Sequence, residues 1–378
     1  MPIRLLFVVN TDWFFVSHRL PIALAAQRNG YEVHIATAIT DKLDFLNSHG
    51  LKVHPLHLVR SGLGLVNALQ TLFELISIIQ HVRPDVVHLV TIKPVLLGGL
   101  VARWMRVPAL VSAVSGLGYV FMANGSMARA RLGLVKRVYK LALSHCNQVV
   151  IFQNPDDRDT LTAATSLPSD KVVMICGSGV DLVQFFVVPE AEGLPVVLLP
   201  ARLLADKGLF EFVAAAKLLL AKGLAARFVL AGLVDNANPS SVTQAQLDTW
   251  VADGAVEYLG YVADMPQVLA SASVVVLPSY REGLPKALIE AAACGRAVVT
   301  TDVPGCRDAI TPNVSGVLVP VKSAESLADA IEMLVENAEL RKSMGRAGRE
   351  LAESKFAIEK IVQQHIAIYE ELLIRAAR

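Results

Sequence analysis

The 378-residue sequence is poor in cysteine, in aromatic side chains and in charge. Its four cysteines are Cys146, Cys176, Cys294 and Cys306, and they form no C-x-x-C pair. The sequence therefore predicts neither a zinc site nor a disulfide framework, and it is typical of a protein in a reducing cytosol. Aromatic residues make up 6% of the chain and do not alternate with its basic residues, which argues against a surface that stacks nucleic-acid bases.

No apolar run is long and regular enough to predict a membrane-spanning helix. The longest uncharged run, residues 107–128, is broken by Pro108, by glycines and by serines. The first nine residues have no basic segment ahead of a longer apolar stretch and no small-residue cleavage site. We therefore expect a first strand there and not a signal peptide.

Acidic residues are absent between Asp85 and Asp156. Basic residues interspersed with aliphatic ones accumulate on one predicted helix of this stretch, at Arg129, Arg131, Lys136, Arg137 and Lys140. Such a helix is typical of a surface that lies on anionic lipid headgroups. The alternative is a helix that covers its own sheet and leaves its charges in solvent, and both interpretations can hold at once.

The chain is longer than one hydrophobic core usually supports, so we expect two domains. Short apolar runs alternate with amphipathic stretches in two series, which is typical of doubly wound α/β domains. The predicted strands lie near 3–9, 32–37, 51–55, 85–90, 108–113, 147–152 and 171–176, then near 196–201, 227–232, 256–259, 274–277 and 297–300. We predict an N-terminal Rossmann-like domain over 1–187, a second over 188–356, and a final helix over 357–378.

The most informative segment is 278–290, which holds Glu282 and Glu290. An apolar run before it predicts a buried strand, Gly283 permits a sharp turn, and Pro285 suits the first position of a helix. A helix N-terminus suits a nucleotide diphosphate, and a carboxylate can accept hydrogen bonds from two sugar hydroxyls. The alternative is that both glutamates are ordinary helix-start and helix-face charges.

The strand, the E-G-x-P turn and the second glutamate resemble the signature of family 4 of the retaining glycosyltransferases. The likeness continues through 291–300 and 302–306 and reappears upstream at 200–208. It implies the GT-B fold, an α/β architecture in which two doubly wound parallel-sheet, Rossmann-like domains face a cleft. It also implies that the last helix crosses back to the first domain.

The resemblance assigns an expected function to each donor-side residue. Arg202 and Lys207 would hold the pyrophosphate without a metal, Glu290 would hold the ribose hydroxyls, and Glu282 would grip the donor sugar. Two cations five residues apart at a helix N-terminus suit that task. The other donor-side candidates are Gly283, Leu284 and Pro285 in the turn, Gly232 at a strand end, and Tyr261 and Val262 beside the base.

The first domain departs from the family pattern. Its loop over 10–21 lacks the glycine-rich turn of many members, and the loop after the fifth strand offers Ser115 where some relatives have His or Glu. No general base is evident in that loop, and the resemblance implies a front-face reaction in which the leaving phosphate takes the acceptor proton. The acceptor-side candidates are Asp12, His18, Lys93, Ser115 and Gly116.

Together these features predict a retaining glycosyltransferase that needs no cofactor and uses a UDP-sugar as co-substrate. The resemblance is to bacterial enzymes that add an N-acetylhexosamine to an undecaprenyl diphosphate-linked sugar in O-antigen, capsule or glycoprotein oligosaccharide assembly. We expect a cytoplasmic protein, peripheral at the inner face of the membrane, that binds a lipid-linked acceptor and no nucleic acid. A UDP-sugar epimerase of similar build and a non-catalytic binding protein are the alternatives.

Overall fold

The computed structural model describes residues 2–58, 64–117, 126–236 and 238–378. The chain folds into two compact units. The first comprises Met1–Ser178 together with Glu359–Arg378, and the second comprises Gly179–Ile358. Each unit is an open, parallel sheet covered by helices, as predicted.

The first unit has a seven-stranded sheet within the described residues, in the order β3-β2-β1-β4-β5-β6-β7. Its strands are β1 (Ile3–Thr11), β2 (Tyr31–Ala38), β3 (Lys52–Pro55), β4 (Val86–Val90), β5 (Ala109–Val114), β6 (Gln148–Phe152) and β7 (Val172–Met174). Its helices are α1 (Asp12–His18), α2 (Leu20–Arg28), α3 (Leu43–Ser48), α4 (Leu65–Val82), α5 (Ile92–Trp104), α6 (Ser126–Ala142), α7 (Pro155–Thr165) and, at the end of the chain, α14 (Ile358–Ala376).

Strand β1 shows why these sequences form a doubly covered sheet. Its side chains alternate between two hydrophobic clusters, with Leu5, Phe7 and Val9 in one and Leu6 and Val8 in the other. Helices α2 and α14 cover the first cluster, and α4, α5 and α6 cover the second. A parallel strand buried on both faces therefore appears in the sequence as a continuous apolar run.

The second unit has a six-stranded parallel sheet within the described residues, in the order β10-β9-β8-β11-β12-β13. Its strands are β8 (Val196–Pro200), β9 (Arg227–Ala231), β10 (Glu257–Tyr258), β11 (Val274–Leu277), β12 (Ala297–Thr301) and β13 (Gly316–Val319). Its helices are α8 (Leu209–Ala221), α9 (Gln244–Ala252), α10 (Met265–Ser271), α11 (Lys286–Ala293), α12 (Ala324–Glu336) and α13 (Ala338–Leu351). Strand β13, which pairs in parallel with β12 at the edge of the sheet, was not among the predicted strands.

The boundaries between the units differ from the expected ones at residues 187 and 356. Val180 forms a bridge with Ala357, and its N–H donates to the carbonyl of Phe356 at 2.8 Å. Arg349 on α13 donates to the carbonyl of Phe185 at 2.9 Å. Residues 179–187 therefore belong to the second unit, because a backbone bridge and a side-chain hydrogen bond from residues distant in sequence hold them there.

The last helix, α14, packs in the core of the first unit. Tyr369 on α14 is buried, and its hydroxyl lies 2.6 Å from Nδ1 of His88 on β4. His365, one turn earlier, stacks against the His88 ring with centroids 5.6 Å apart. His88 therefore has a structural function in the core of the first unit.

Both sheets reverse their strand order at one point, between β1 and β4 in the first unit and between β8 and β11 in the second. At such a point the loops after the two strands diverge and leave a crevice outside their carboxyl ends, where α/β proteins bind ligands. We therefore expect the functional residues of each unit at the carboxyl edge of its sheet. None of the helices in the described part of the chain is both long enough and apolar enough to span a bilayer.

Candidate active site

Glu282 lies in a turn between β11 and α11 that a neighbouring loop holds in place. Its N–H donates to the carbonyl of Pro304 at 3.2 Å. Gly305 has a φ of +82°, and a Cβ there would lie 2.6 Å from the carbonyl oxygens of Glu282 and Gly283. Only glycine allows the two backbones to approach this closely. The 302–306 segment, which sequence analysis tied to the family only by likeness, therefore supports the turn.

Pro285 takes a different place from the predicted one. It is the N-cap of α11, with φ −71° and ψ 120°, and the helix begins at Lys286. An extended ψ keeps this residue out of the helix although its φ suits one. Leu284, just before it, is buried, so its side chain anchors the turn.

Lys207 and Glu282 form an ion pair between the loops after β8 and β11. Ser279 Oγ donates to the same carboxylate oxygen, Oε1 of Glu282, at 2.8 Å. Gly208, the N-cap of α8, has a φ of +76°, and a Cβ there would overlap the carbonyl of Pro278. The close approach of the backbone at Gly208 to Pro278 brings the Lys207 ammonium to the Glu282 carboxylate, at the point where the strand order of the sheet reverses.

Arg202 lies in the same loop as Lys207 but has a different acidic partner. Its Nη1 donates to Oδ2 of Asp235, in the loop after β9, at 2.9 Å. The guanidinium is partly exposed and Asp235 is mostly buried. The structure thus places Lys207 against Glu282 and Arg202 against Asp235, at the carboxyl ends of neighbouring strands.

Glu290 lies in the second turn of α11 and is almost fully buried. Its Oε1 is 2.9 Å from Nζ of Lys286, one turn earlier on the same helix. Burial raises the pKa of the Glu290 carboxyl, and the Lys286 ammonium opposes that shift. Sequence analysis missed Lys286, although the i, i+4 spacing of a lysine and a glutamate on one helix is a signal that could have found it.

Gly232 is the place where three loops of the second unit meet. Its N–H donates to the carbonyl of Gly260 at 2.9 Å, and a Cβ at its φ of +149° would overlap the carbonyl of Ala201. The expected base-binding residues follow directly, with Tyr261 exposed and Val262 half-buried. The loops after β8, β9 and β10 therefore converge at one end of the sheet.

In the first unit, Asp12 is buried and its carboxylate accepts hydrogen bonds from neighbouring residues. It accepts hydrogen bonds from the N–H and hydroxyl of Thr40, from the N–H of Lys42 at 3.0 Å, and from the N–H of Trp13 at 2.8 Å. Burial opposes ionisation, but these hydrogen bonds outweigh it and lower the pKa of Asp12. Asp12 therefore orders the loop after β2, in contrast to the expected position toward the acceptor.

The other acceptor-side candidates follow strands β1, β4 and β5. His18 ends α1, its ring stacks on Phe14 with centroids 4.0 Å apart, and its Nδ1 lies 3.2 Å from the Phe14 carbonyl. Lys93 lies in the first turn of α5, where burial lowers its pKa. Ser115 and Gly116 follow β5, and Gly116 has a φ of +123°. Four candidates thus lie near the carboxyl edge of this sheet.

Helix α6 carries the basic residues that were expected to face a membrane. Tyr139 is buried and holds the second half of the helix to the core. Arg137 and Lys140 are exposed, and Lys136 is half-buried. The side chains of Arg129 and Arg131 lie outside the described part of the chain.

Within the described residues, no three or more His, Cys, Asp or Glu side chains are grouped so that they could hold a metal ion. The charged groups that the structure brings together at the carboxyl edge of the second sheet are ion pairs of Lys or Arg with a single carboxylate.

Both units match known glycosyltransferase families. The Glycosyl transferase 4-like family matches residues 4–154, and the family Glycosyl transferases group 1 matches residues 182–351. The N,N'-diacetylbacillosaminyl-diphospho-undecaprenol alpha-1,3-N-acetylgalactosaminyltransferase of Campylobacter jejuni is 29% identical, over 98% of this chain and 99% of that protein. The UDP-Gal:alpha-D-GlcNAc-diphosphoundecaprenol alpha-1,3-galactosyltransferase of Escherichia coli is 23% identical, over 83% and 82%.

The fold is shared with solved structures. Anabaena Alr3699/HepE, crystallised with UDP and glucose, superimposes with a TM-score of 0.78 at 19% identity, over 97% of this chain and 98% of that one. The two parallel-sheet units confirm the fold predicted from the sequence. With a glycosyl transferase 4-like region followed by a group 1 region, the chain belongs to the GT-B glycosyltransferases and is a hexosyltransferase.

Proposed function

We propose that this enzyme transfers a sugar, an N-acetylhexosamine, from a UDP-sugar to a polyprenyl diphosphate-linked saccharide, with retention of anomeric configuration and without a metal. The names of the two relatives support this proposal, since each describes transfer to a diphospho-undecaprenol-linked sugar and one names UDP-Gal as donor. The product would be an intermediate of a bacterial surface polysaccharide or glycan.

The contact of Lys207 with Glu282 is the observation that carries the proposal. An ammonium has three N–H donors, so Lys207 can hold the carboxylate and a phosphate oxygen together. Arg202, in the same loop, would supply a second cation to the departing diphosphate. Positive charge that is already in place stabilises the charge that develops on the leaving group, because it needs no reorganisation during the reaction.

Glu282 would orient the donor sugar and Glu290 the ribose. Lys207 and Ser279 both bind Oε1 of Glu282, so Oε2 is the oxygen that faces a hydroxyl of the sugar. Lys286 favours the ionised form of Glu290 against its burial, and an ionised carboxylate accepts from two adjacent hydroxyls. Gly232, with Tyr261 and Val262, would form the place of the uridine base.

The acceptor would bind the first unit beside Lys93, Ser115 and Gly116. Lys93 is a candidate for the acceptor diphosphate. The positive φ of Gly116 would let the backbone come close to the sugar. The leaving phosphate would take the proton of the acceptor hydroxyl, so the reaction needs no side-chain base at Ser115.

The enzyme would work as a peripheral protein on the inner face of the cytoplasmic membrane. The exposed Arg137 and Lys140 on α6 support contact with anionic headgroups, together with Arg129, Arg131 and Lys136 on the same helix. Each basic residue near an anionic surface adds about 1 kcal/mol of attraction.

The test is to incubate the purified protein with a panel of UDP-sugars and a polyprenyl diphosphate-linked saccharide, and to measure UDP release and the anomeric configuration of the product. We expect one UDP-N-acetylhexosamine to be used and the α configuration to be retained. Glu282→Gln is expected to slow transfer about 100-fold or more while UDP still binds. Interconversion of UDP-sugars with no acceptor present would identify an epimerase and overturn the proposal.

A further inference from the structure

Helix α4 of the first unit has an apolar row on its outer face. Val66, Leu69 and Phe73 follow one another at helical spacing and are 78%, 54% and 70% exposed. The opposite face of the same helix is apolar as well, and Leu75 and Ile79 are buried in the core. The core therefore accounts for only one of the two apolar faces of α4, and a row of large exposed apolar side chains marks a contact site.

The outer face of α4 also lacks charge. Its other exposed residues between Val66 and Gln80 are polar and neutral: Asn67, Gln70, Ser77 and Gln80 itself. Glu74 is the one acidic residue of the helix, and it is bound to the loop before α4, with Oε1 2.6 Å from Nδ1 of His57 and Oε2 accepting from the His57 N–H at 2.8 Å. The face can therefore leave water without burying an ion, which would be costly.

The apolar row lies at the end of the unit where the acceptor residues are. Helix α4 connects β3 to β4, which are parallel, so it runs against them and its first half lies at their carboxyl edge. Lys93, Ser115 and the start of α6 are at this same edge, after β4 and β5. Helices α4, α5 and α6 share one hydrophobic cluster, through Leu75, Val95 and Tyr139 respectively.

The charge around the row indicates which partner it fits. From Val86 to Pro155 the sequence contains no acidic residue, while α6 presents Arg137 and Lys140 to solvent. A symmetric contact with a second copy would bring two such positive surfaces together, which is unfavourable. An anionic bilayer offers both an apolar interior for the row and negative headgroups for the flanking cations.

We infer that Val66, Leu69 and Phe73 of α4 insert into the bilayer and hold the carboxyl edge of the first unit at the membrane surface. This inference rests on the proposed use of a lipid-linked acceptor, and it adds to the electrostatic contact of α6 a separate, apolar one. The partner is the bilayer itself and not the polyprenyl chain of the acceptor, so binding requires no acceptor lipid.

Vesicle flotation tests the inference with the full chain and the variant Leu69→Glu/Phe73→Glu. The probes are vesicles of phosphatidylcholine alone and of phosphatidylcholine with 30% phosphatidylglycerol, both free of polyprenyl lipids. Because inserted leucine and phenylalanine side chains are replaced by charges, we expect binding to the anionic vesicles to fall by roughly tenfold or more. Because the two added carboxylates also repel anionic headgroups, flotation is repeated at high salt, where this repulsion is screened and the loss caused by the missing apolar side chains is expected to remain.

Trp104→Glu is the matched control, because Trp104 is 70% exposed but ends α5 at the opposite edge of the sheet. It is expected to bind vesicles like the unchanged protein. Equal loss in both variants, or no loss in the α4 variant, would overturn the inference. So would binding that appears only when polyprenyl diphosphate is added, or an α4 variant that changes from dimer to monomer in sedimentation while vesicle binding stays the same.

Transfer to an acceptor with a short, water-soluble lipid separates this inference from the proposed function. The α4 variant is expected to retain normal turnover with that acceptor and to lose turnover with vesicle-bound acceptor. If the unchanged protein transfers no sugar to either acceptor, the proposed function fails, and the flotation result still decides the inference about α4.

Discussion

The hydroxyl of Ser279 donates a 2.8 Å hydrogen bond to Oε1 of Glu282, three residues later in the same turn. Ser279 is fully buried, so its hydroxyl has few other partners to choose from. The bond and that from Lys207 both go to Oε1 of Glu282, which leaves Oε2 as the oxygen for the proposed sugar site. This relationship makes Ser279 a positioning residue for Glu282.

Replacing Ser279 with Ala is expected to lower kcat by about 10- to 150-fold, the cost of one hydrogen bond to a charged group. The Kd for UDP, measured by calorimetry, is expected to stay the same, because UDP lacks the sugar that we propose Glu282 to orient. A merely structural effect of the substitution would weaken UDP binding and lower the melting temperature together. An unchanged kcat would show that Lys207 alone is enough to orient Glu282.

Lys207→Ala is expected to cost about 3 kcal/mol of transition-state stabilisation, seen as a loss of kcat/KM for the UDP-sugar. Added Mg²⁺ or Mn²⁺ is not expected to restore activity. Lys217→Ala is the matched control, because Lys217 on α8 also pairs with one carboxylate, Asp253, at 2.7 Å, but on the exposed surface. Normal turnover by the Lys207 variant would remove the assignment of this residue to the diphosphate.

Gly305→Ala is expected to displace the turn that holds Glu282, because the added Cβ would lie 2.6 Å from two backbone carbonyl oxygens. Gly223→Ala is a close control, since Gly223 has a similar φ of +87° but no atom within 4 Å of the added Cβ. The control is expected to lose about 1–2 kcal/mol of stability from its backbone conformation alone, with normal activity. The Gly305 variant is expected to lose about 1–3 kcal/mol more and most of its activity. Equal effects in thermal unfolding and in turnover would contradict this account.

The stacked rings of His88 on β4 and His365 on α14 predict a loss of stability in acid. Burial, together with the nearby Arg19, lowers the pKa of His365 to about 3, and burial lowers the pKa of His88 well below its ordinary value. The unfolded chain binds protons at these groups below about pH 6.5 while the folded chain does not, so stability is complete above that pH and declines as the pH falls toward 3. Each histidine contributes a slope of about 1.4 kcal/mol per pH unit in this window.

His365→Phe is expected to flatten the decline, measured as the change in melting temperature between pH 7.5 and pH 5. The comparison is made within each variant, so a general loss of stability from the lost bond to the Ile361 carbonyl does not affect it. If the variant and the unchanged protein lose the same number of degrees on acidification, another group controls the acid response.

Charge reversal at Arg129, Arg131 and Lys136 is expected to weaken binding to vesicles with anionic lipid and to flatten its dependence on salt. The physical reason is that exposed charges act over about 10 Å at 0.1 M salt, so their attraction is screened as salt is added. Flotation at several salt concentrations measures both effects. Binding equal to that of the unchanged protein at every salt concentration would count against α6 as the electrostatic contact.

Sequence analysis was sufficient for the features that depend on neighbouring residues. Continuous apolar runs located nearly every strand, since a parallel strand buried on both faces has no polar side. The Glu282 turn and the Glu290 helix were located by Gly283 and Pro285, whose backbone preferences act within a few residues. The exact helix start was missed by one residue, because Pro285 has a φ that suits a helix but an extended ψ that keeps it outside.

The partners of the site residues were decided only by the tertiary structure. Lys207 is 75 residues from Glu282, so no local pattern predicts that the two side chains meet across neighbouring strands. Asp12 is 28 residues from Thr40, so no local pattern predicts that Thr40 binds the carboxylate that was expected to face the acceptor. The exposed row on α4 is of the same kind, because helical periodicity reveals apolar faces but not which of them the sheet will cover. The sequence thus determined the helices and strands and the functional side chains available at their ends. The packing of strands distant in the chain decided which charged side chains meet and which apolar surface stays open to a partner.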